Sequence, residues 1–279
     1  MSGIDLTGWA PEPVTTTDRV TSWSVNALAA TLDVNVAAPL PPLWHWLGFL
    51  EAVPQSALGE DGHPADGHFL PPLPHRRRMI AGGRLRFAAR LPVDEPIERV
   101  STLAGVRVKQ GRTGEMAFVT VRHEYRVAGR IAVTEEQDVV YRSQPPCTAR
   151  PQRREPAPEP SADFRLDITP DEAMLFRFSA LTYNTHRIHY DHPYVTAVEG
   201  YPGLVVHGPL LALLLLEIPR RHAPDREVTA FDYRLTAPAF AGERVVVTGS
   251  PEGDEMALAA RANGYAESIK GVAKLSKRT

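Results

Sequence analysis

From Ser179 to Glu217 the chain reads SALTYNTHRIHYDHPYVTAVEGYPGLVVHGPLLALLLLE. Three histidines, an asparagine, an arginine and an aspartate are followed by a Gly/Pro-rich hinge and then by a solid apolar run. Leu210 to Leu216 is too short to span a bilayer, which takes about 20 apolar residues, and predicts a core helix instead. Pro209 suits the first turn of that helix. A polar cluster set directly before a buried helix costs about 1–3 kcal/mol per unpaired group. This stretch therefore organises the rest of the chain and holds the candidate functional residues.

The remainder divides around Ser143–Asp163, SQPPCTARPQRREPAPEPSAD, which is crowded with proline and nearly free of large apolar residues. It predicts an exposed linker between an N-terminal half, 1–142, and a C-terminal half, 164–279. In the first half, helical spacing predicts a helix over Thr21–Leu32, and the prolines ahead of WHWLGFL predict a second over Pro39–Leu50. Trp44, Trp46 and Phe49 are expected in packing. A loop over Gly59–His75 then delivers HRRRMIAGG. From Arg84 onward, β-branched segments separated by GRTG and AGR predict hairpin turns and an antiparallel meander. The second half repeats this grammar. A short strand over 164–168 precedes a helix opened by Pro170, then come the polar cluster, the core helix and four more strands. FAARLPVDEPIERVST and YRLTAPAFAGERVVVTG share one order: aromatic strand, proline-bearing turn, acidic residue, valine strand. A helix followed by antiparallel strands, used twice, predicts an α+β double hot-dog fold, with two sheets each wrapping a central helix and joined edge to edge.

A formal net charge of −2 leaves no basic excess for nucleic acid. One cysteine, Cys147, excludes an internal disulfide and fits a reducing cytoplasm, and the N-terminus shows no signal-peptide pattern.

Within the organising stretch, His189 is the side chain best suited to move protons near neutral pH. Asn184 can orient a water with its carbonyl oxygen or donate to an oxyanion with its amide nitrogen. Asp191 is placed to orient the His189 ring or to hold charge beside it. Tyr183 and Tyr190 are candidates for the wall of an acyl slot, and His207 for bracing the turn before the helix. The amide of Gly208, at the positive end of the helix, can stabilise an enolate oxygen, a contribution of about 2.7–4 kcal/mol. Arg76, Arg77, Arg78 and Arg187 are candidate anion clamps, with Gly82 and Gly83 allowing close backbone approach. His186, His189 and His192 have helical spacing for zinc, but no fourth ligand stands out, so no metal is expected.

NTHRIHYD followed by EGYPGLVVHGPL resembles the MaoC-like (R)-specific enoyl-CoA hydratases and hydroxyacyl-thioester dehydratases, in their double hot-dog branch. The likeness is close over Ser179–Glu217 and looser elsewhere, including LPPLWHWLGFL and HRRRMIAGG. The usual motif has an Asp, four residues, then a His, and later His-Gly before the central helix. His189, His207 and Gly208 match it, and Asn184 stands where the Asp is usual. The resemblance implies syn hydration of an enoyl-CoA, with His189 as acid/base, Asn184 positioning water and the thioester carbonyl on Gly208. In the branch handling mesaconyl-C4-CoA and itaconyl-CoA, the acyl group is short, branched and dicarboxylic, and the product is citramalyl-CoA. It implies no cofactor beyond the CoA of the substrate, no membrane partner, one site per chain, and compatibility with a homodimer. Competing readings are a dehydratase of straight-chain acyl-CoA or acyl carrier protein, a thioesterase, and a non-catalytic acyl-CoA-binding protein. The thioesterase would need a carboxylate or amide near the helix start, where only the distant Glu217 is on offer.

Overall fold

The computed structural model describes residues 4–36, 39–73, 76–111, 114–143, 161–264 and 267–277. The first half contributes β1 (Val14–Asp18), α1 (Ser22–Thr31), β2 (Arg76–Phe87), β3 (Ile97–Gly111), β4 (Gly114–Val127) and β5 (Arg130–Ser143). The second contributes β6 (Phe164–Ile168), α2 (Glu172–Thr182), α3 (His192–Ala197), α4 (Gly208–His222), β7 (Arg226–Leu235), β8 (Val245–Glu252), β9 (Glu255–Ala262) and β10 (Glu267–Lys277).

The ten strands among the described residues form one sheet, in the order β1-β3-β4-β5-β2-β7-β10-β9-β8-β6. Read outward from its centre, β2-β5-β4-β3-β1 on one side matches β7-β10-β9-β8-β6 on the other. The repeat visible in sequence is thus a repeat of topology, and the fold is the double hot-dog. The halves meet on the antiparallel β2–β7 pair, with Gly83 opposite Tyr233 and Leu85 opposite Phe231. Gly82 and Gly83 do permit close approach, but of this neighbouring strand. A Cβ on Gly82 would run into the Tyr233 carbonyl oxygen, and one on Gly83 would lie 2.9 Å from Tyr233 Cε1.

Local chemistry sets the element ends. Thr21 and Asp171 cap α1 and α2 by accepting from the amides of Ser24 and Met174. Ala128 and Gly129, both at positive φ, turn β4 into β5, as a two-residue hairpin loop requires. α4 carries a proline in its first turn, and Leu210–Pro219 are all buried. Packing against β6–β10 on several sides explains why the helix has no polar face. Its last turn holds Arg220, Arg221 and His222, which suit the negative end of the helix dipole.

The expected helix over Pro39–Leu50 is only a 3-10 turn, Trp44–Leu47. Pro39, Pro41 and Pro42 lack amide donors and push the residues before them out of the helical region, and Leu43 sits at φ 71°. Trp44 is buried in the core, as expected, and Trp46 and Phe49 pack against it. The arginine run also differs from expectation. It belongs to strand β2, so successive arginines alternate between the faces of the sheet. The GRTG turn residues 112–113 and the body of the expected linker, 144–160, lie outside the described residues.

Candidate active site

Two turns carry the organising stretch from α2 to α4. Tyr183 closes α2 in the left-handed region, at φ 48°. Asn184 then folds back, its Oδ1 accepting from the His186 amide at 3.0 Å. A 3-10 turn, Arg187–His189, leads to α3, whose first turn is capped by Asp191 through the Tyr194 amide at 3.0 Å. The Val205 amide donates to Ile188 O at 2.9 Å, tying the strand before α4 to the His189 turn.

His189 is 7% exposed, and its Nδ1 donates to the Val205 carbonyl at 2.7 Å. That bond fixes the tautomer and leaves the lone pair on Nε2. Burial pushes the ring's pKa down to about 4, against the smaller opposing effect of the Val205 hydrogen bond. His189 is therefore a neutral base at pH 7. His207 stacks on it with ring centroids 3.7 Å apart and shares a 2.8 Å hydrogen bond with Ser179 Oγ through Nε2. His207 Nδ1 is buried with no hydrogen-bond partner among the described residues. Burial and the neighbouring His189 and His186 keep the His207 pKa well below the ordinary value. Gly208 follows at the first position of α4, where a Cβ would lie 2.6 Å from Leu235 Cδ1. Its amide donates to no other described residue.

Other expected residues have different work. Asp191 does not orient His189. Its carboxylate caps α3 and accepts from Arg187 Nε and Nη2 at 2.9 and 2.8 Å. Arg187 also donates to Glu60 O at 3.0 Å and lies 4.0 Å above the Tyr194 ring, so it braces this turn. Arg77 is ion-paired with Glu199. Arg78 lies close enough to His63 and His186 to oppose their protonation. The Arg76 side chain lies outside the described residues. Tyr183 and Tyr190 are about half exposed, and Tyr190 OH donates to Thr185 O at 3.0 Å. His192 opens α3 and is exposed. Glu217 is buried in an ion pair with Arg220 near the far end of α4, which leaves no carboxylate at the helix start for a thioesterase.

A further pair comes from the first half. The Gly59–His63 turn lies against the organising stretch, with Arg187 N donating to Asp61 O at 2.9 Å and Thr185 Oγ1 to Gly62 O. Asp61 Oδ2 meets His63 Nδ1 at 2.9 Å, and the His63 ring lies 4.0 Å from that of His186. Asp61, His63 and His186 bring ligand-type atoms within 4.8 Å of one another, the set a metal could use here in place of His186, His189 and His192. Two shallow open clefts adjoin Leu40 in the first half, and neither is lined by His189 or Gly208.

The family model for hydroxyacyl-thioester dehydratase type 2 matches residues 43–241. The chain belongs to this family. It is accordingly a hydro-lyase. It is 41% identical, over 99% of both chains, to the mesaconyl-C(4)-CoA hydratase of Chloroflexus aurantiacus. It is 28% identical to the mitochondrial hydroxyacyl-thioester dehydratase type 2 of Schizosaccharomyces pombe, over 80% of this chain and 82% of the other. A MaoC-like dehydratase from Phytophthora capsici shares the fold, with a TM-score of 0.69 and 12% identity over 98% of both chains. Within the dehydratase family, the matched span takes in the WHWL turn, the Asp61–His63 turn, the polar cluster and α4. Asp61 and His63 were not singled out from sequence. Asp-Gly-His marks a turn, but nothing local says that it docks over 120 residues downstream. No helix among the described residues is long and apolar enough to cross a membrane.

Proposed function

We propose that the protein adds water reversibly across the double bond of a short, branched, dicarboxylic enoyl-CoA, mesaconyl-C4-CoA or itaconyl-CoA, giving citramalyl-CoA. The observation that carries this reading is a neutral imidazole of fixed tautomer, His189, stacked on His207, the residue just before α4. The full-length likeness to a mesaconyl-C(4)-CoA hydratase supports the substrate class. In hydration, Nε2 of His189 takes a proton from water as the oxygen bonds the β-carbon. The π electrons move to the thioester oxygen, which accepts from the Gly208 amide, and the proton returns to the α-carbon. The chemistry needs no cofactor or metal. Among the arginines, Arg78 is our candidate for the distal carboxylate, since its charge is felt at both His63 and His186.

The test is loss of enoyl-thioester absorbance with mesaconyl-C4-CoA, itaconyl-CoA and crotonyl-CoA. Wild type turns over a dicarboxylic substrate faster than crotonyl-CoA, and His189→Ala loses nearly all activity. A preference for crotonyl-CoA would favour a straight-chain dehydratase. Full activity in His189→Ala would remove the mechanism.

A further inference from the structure

We propose that His63, held by Asp61, is the second acceptor for the attacking water, filling the place that Asn184 leaves open. The inference rests on the hydratase reading above. A water that gives one proton to a base must have its other hydrogen held if its lone pair is to face the β-carbon. In the usual motif a carboxylate can do this from the position of Asn184. Here the Asn184 oxygen is committed to the His186 amide at 3.0 Å. The nearby Asp191 carboxylate is committed to Arg187 and the α3 cap, and His207 Nε2 to Ser179.

His63 offers a further acceptor, one held in place by a carboxylate. Asp61 Oδ2 lies 2.9 Å from its Nδ1, so Nδ1 donates and Nε2 keeps its lone pair. Asp61 Oδ1 also binds the His63 amide at 2.9 Å, which fixes side chain and main chain together. The turn is locked to the second half. Gly62, at φ 85°, has no room for a Cβ against the Thr185 carbonyl, and Arg187 N holds Asp61 O. The rings of His63, His186 and His189 form a row, with centroids 4.0 and 5.5 Å apart along it. A charge on His63 is felt at His189.

The step balances without a net change on His63. Water passes one proton to Nε2 of His189 as oxygen bonds the β-carbon. The other hydrogen stays on the oxygen, becomes the product hydroxyl and donates to Nε2 of His63. The electron pair passes through the enolate to the α-carbon, which takes the proton back from His189. The groups facing His63 are Asp61 on its own turn, Arg78 on β2, and His186 and His189 from the second half. A metal on Asp61, His63 and His186 would have to sit beside the Arg78 charge, which opposes it.

The experiment compares wild type, His63→Ala, His63→Gln, Asp61→Asn and His189→Ala on the best of the three enoyl-CoAs, with melting curves for each variant. His63→Ala is expected to lower kcat about 100-fold with KM within about threefold, as a misplaced reactant does. His63→Gln, which restores an acceptor, recovers about tenfold of that loss, and Asp61→Asn loses about tenfold. If His63→Ala melts below assay temperature, His63→Gln carries the comparison, its kcat falling about tenfold at unchanged KM. His63 variants within about threefold of wild-type kcat, beside an inactive His189→Ala, would overturn the role of His63 and leave the hydratase standing. Inhibition by EDTA that zinc reverses would overturn it in favour of a metal. A wild type that hydrates none of the three thioesters would bring down the hydratase reading itself.

Discussion

Glu135 sits on β5 with no exposed surface, and its carboxylate accepts from four side chains. These are His45 Nε2 at 2.9 Å, Trp46 Nε1 at 2.9 Å, Gln137 Nε2 at 2.8 Å and Tyr125 OH at 3.2 Å. The network ties the Trp44–Leu47 turn to β4 and β5. Glu135→Ala removes the one acceptor they share. Breaking a buried, charged hydrogen-bonded pair costs about 3–5 kcal/mol. A second route gives a similar figure. Burial alone would raise the carboxyl pKa, but the His45 hydrogen bond, then the His45 and His123 rings, override it and pull it from 4.5 down to about 2. A carboxyl depressed that far on folding contributes about 3 kcal/mol above pH 5, and this is lost as pH falls from about 4.5 towards 2. At about 2–4 °C per kcal/mol for a chain of this size, the melting temperature should drop about 6–20 °C at pH 7. Thermal unfolding of wild type and Glu135→Ala at pH 7, 5 and 3.5 checks both the size and the sign: the gap narrows as pH falls. Turnover of the folded variant at 25 °C should stay within about twofold of wild type. A melting shift under 2 °C at pH 7, or a gap independent of pH, would refute the reasoning.

His189, the proposed base, is neutral at pH 7 because burial pushes its pKa down to about 4. Hydration should therefore hold level from pH 8 to about 5.5 and fall only as the ring protonates below that; a midpoint near 6.5 in the kcat profile would contradict it. Gly208→Ala should lower kcat about 10–100-fold, because a Cβ 2.6 Å from Leu235 Cδ1 displaces the amide from the thioester oxygen. Adding Leu235→Ala makes room and should restore part of the rate, which a kcat comparison of single and double variants reads directly. Arg187→Ala removes the Asp191 pair, the Glu60 bond and the Tyr194 contact, so it should lower the melting temperature by several degrees. Arg78→Ala should instead raise KM about tenfold or more for dicarboxylic substrates and little for crotonyl-CoA, and equal KM effects would argue against Arg78 as the carboxylate partner.

What the sequence disclosed was what short range controls. Pro209 in the first turn of α4 and the hairpin at Ala128–Gly129 are local decisions, and both stand in the structure. His189 was legible because its spacing to Gly208 is a property of one segment. Pro39–Leu50 misled because large apolar residues favour a helix while three prolines and a left-handed Leu43 forbid one. The arginine run misled because a strand with polar groups on both faces lacks the usual alternation, and only its pairing with β5 and β7 defines it. Asp191 looked like a partner for the adjacent His189, but four residues back Arg187 reaches it first. Asp61 and His63 were beyond reach because their meaning lies in a contact with Thr185 and Arg187, on the other half.

That contact shows why a duplicated fold need not keep two sites. The second half fills its core with α4, whose leucines are buried and whose leading amide faces the candidate chemistry. The first half has no counterpart of α4 among the described residues. In that place it has a 3-10 turn held by the Glu135 carboxylate. The chain between that turn and β2 instead carries Asp61 and His63 to the far half. β2 is also the seam strand, pairing with β7, and Gly82 and Gly83 let Tyr233 lie against it. The register of this one seam therefore constrains where the Gly59–His63 turn lands relative to Arg187. A slip of one residue would turn every side chain of β2, Arg78 included, to the opposite face. Tight packing at a pair of glycines on the seam is in this sense part of the site's geometry.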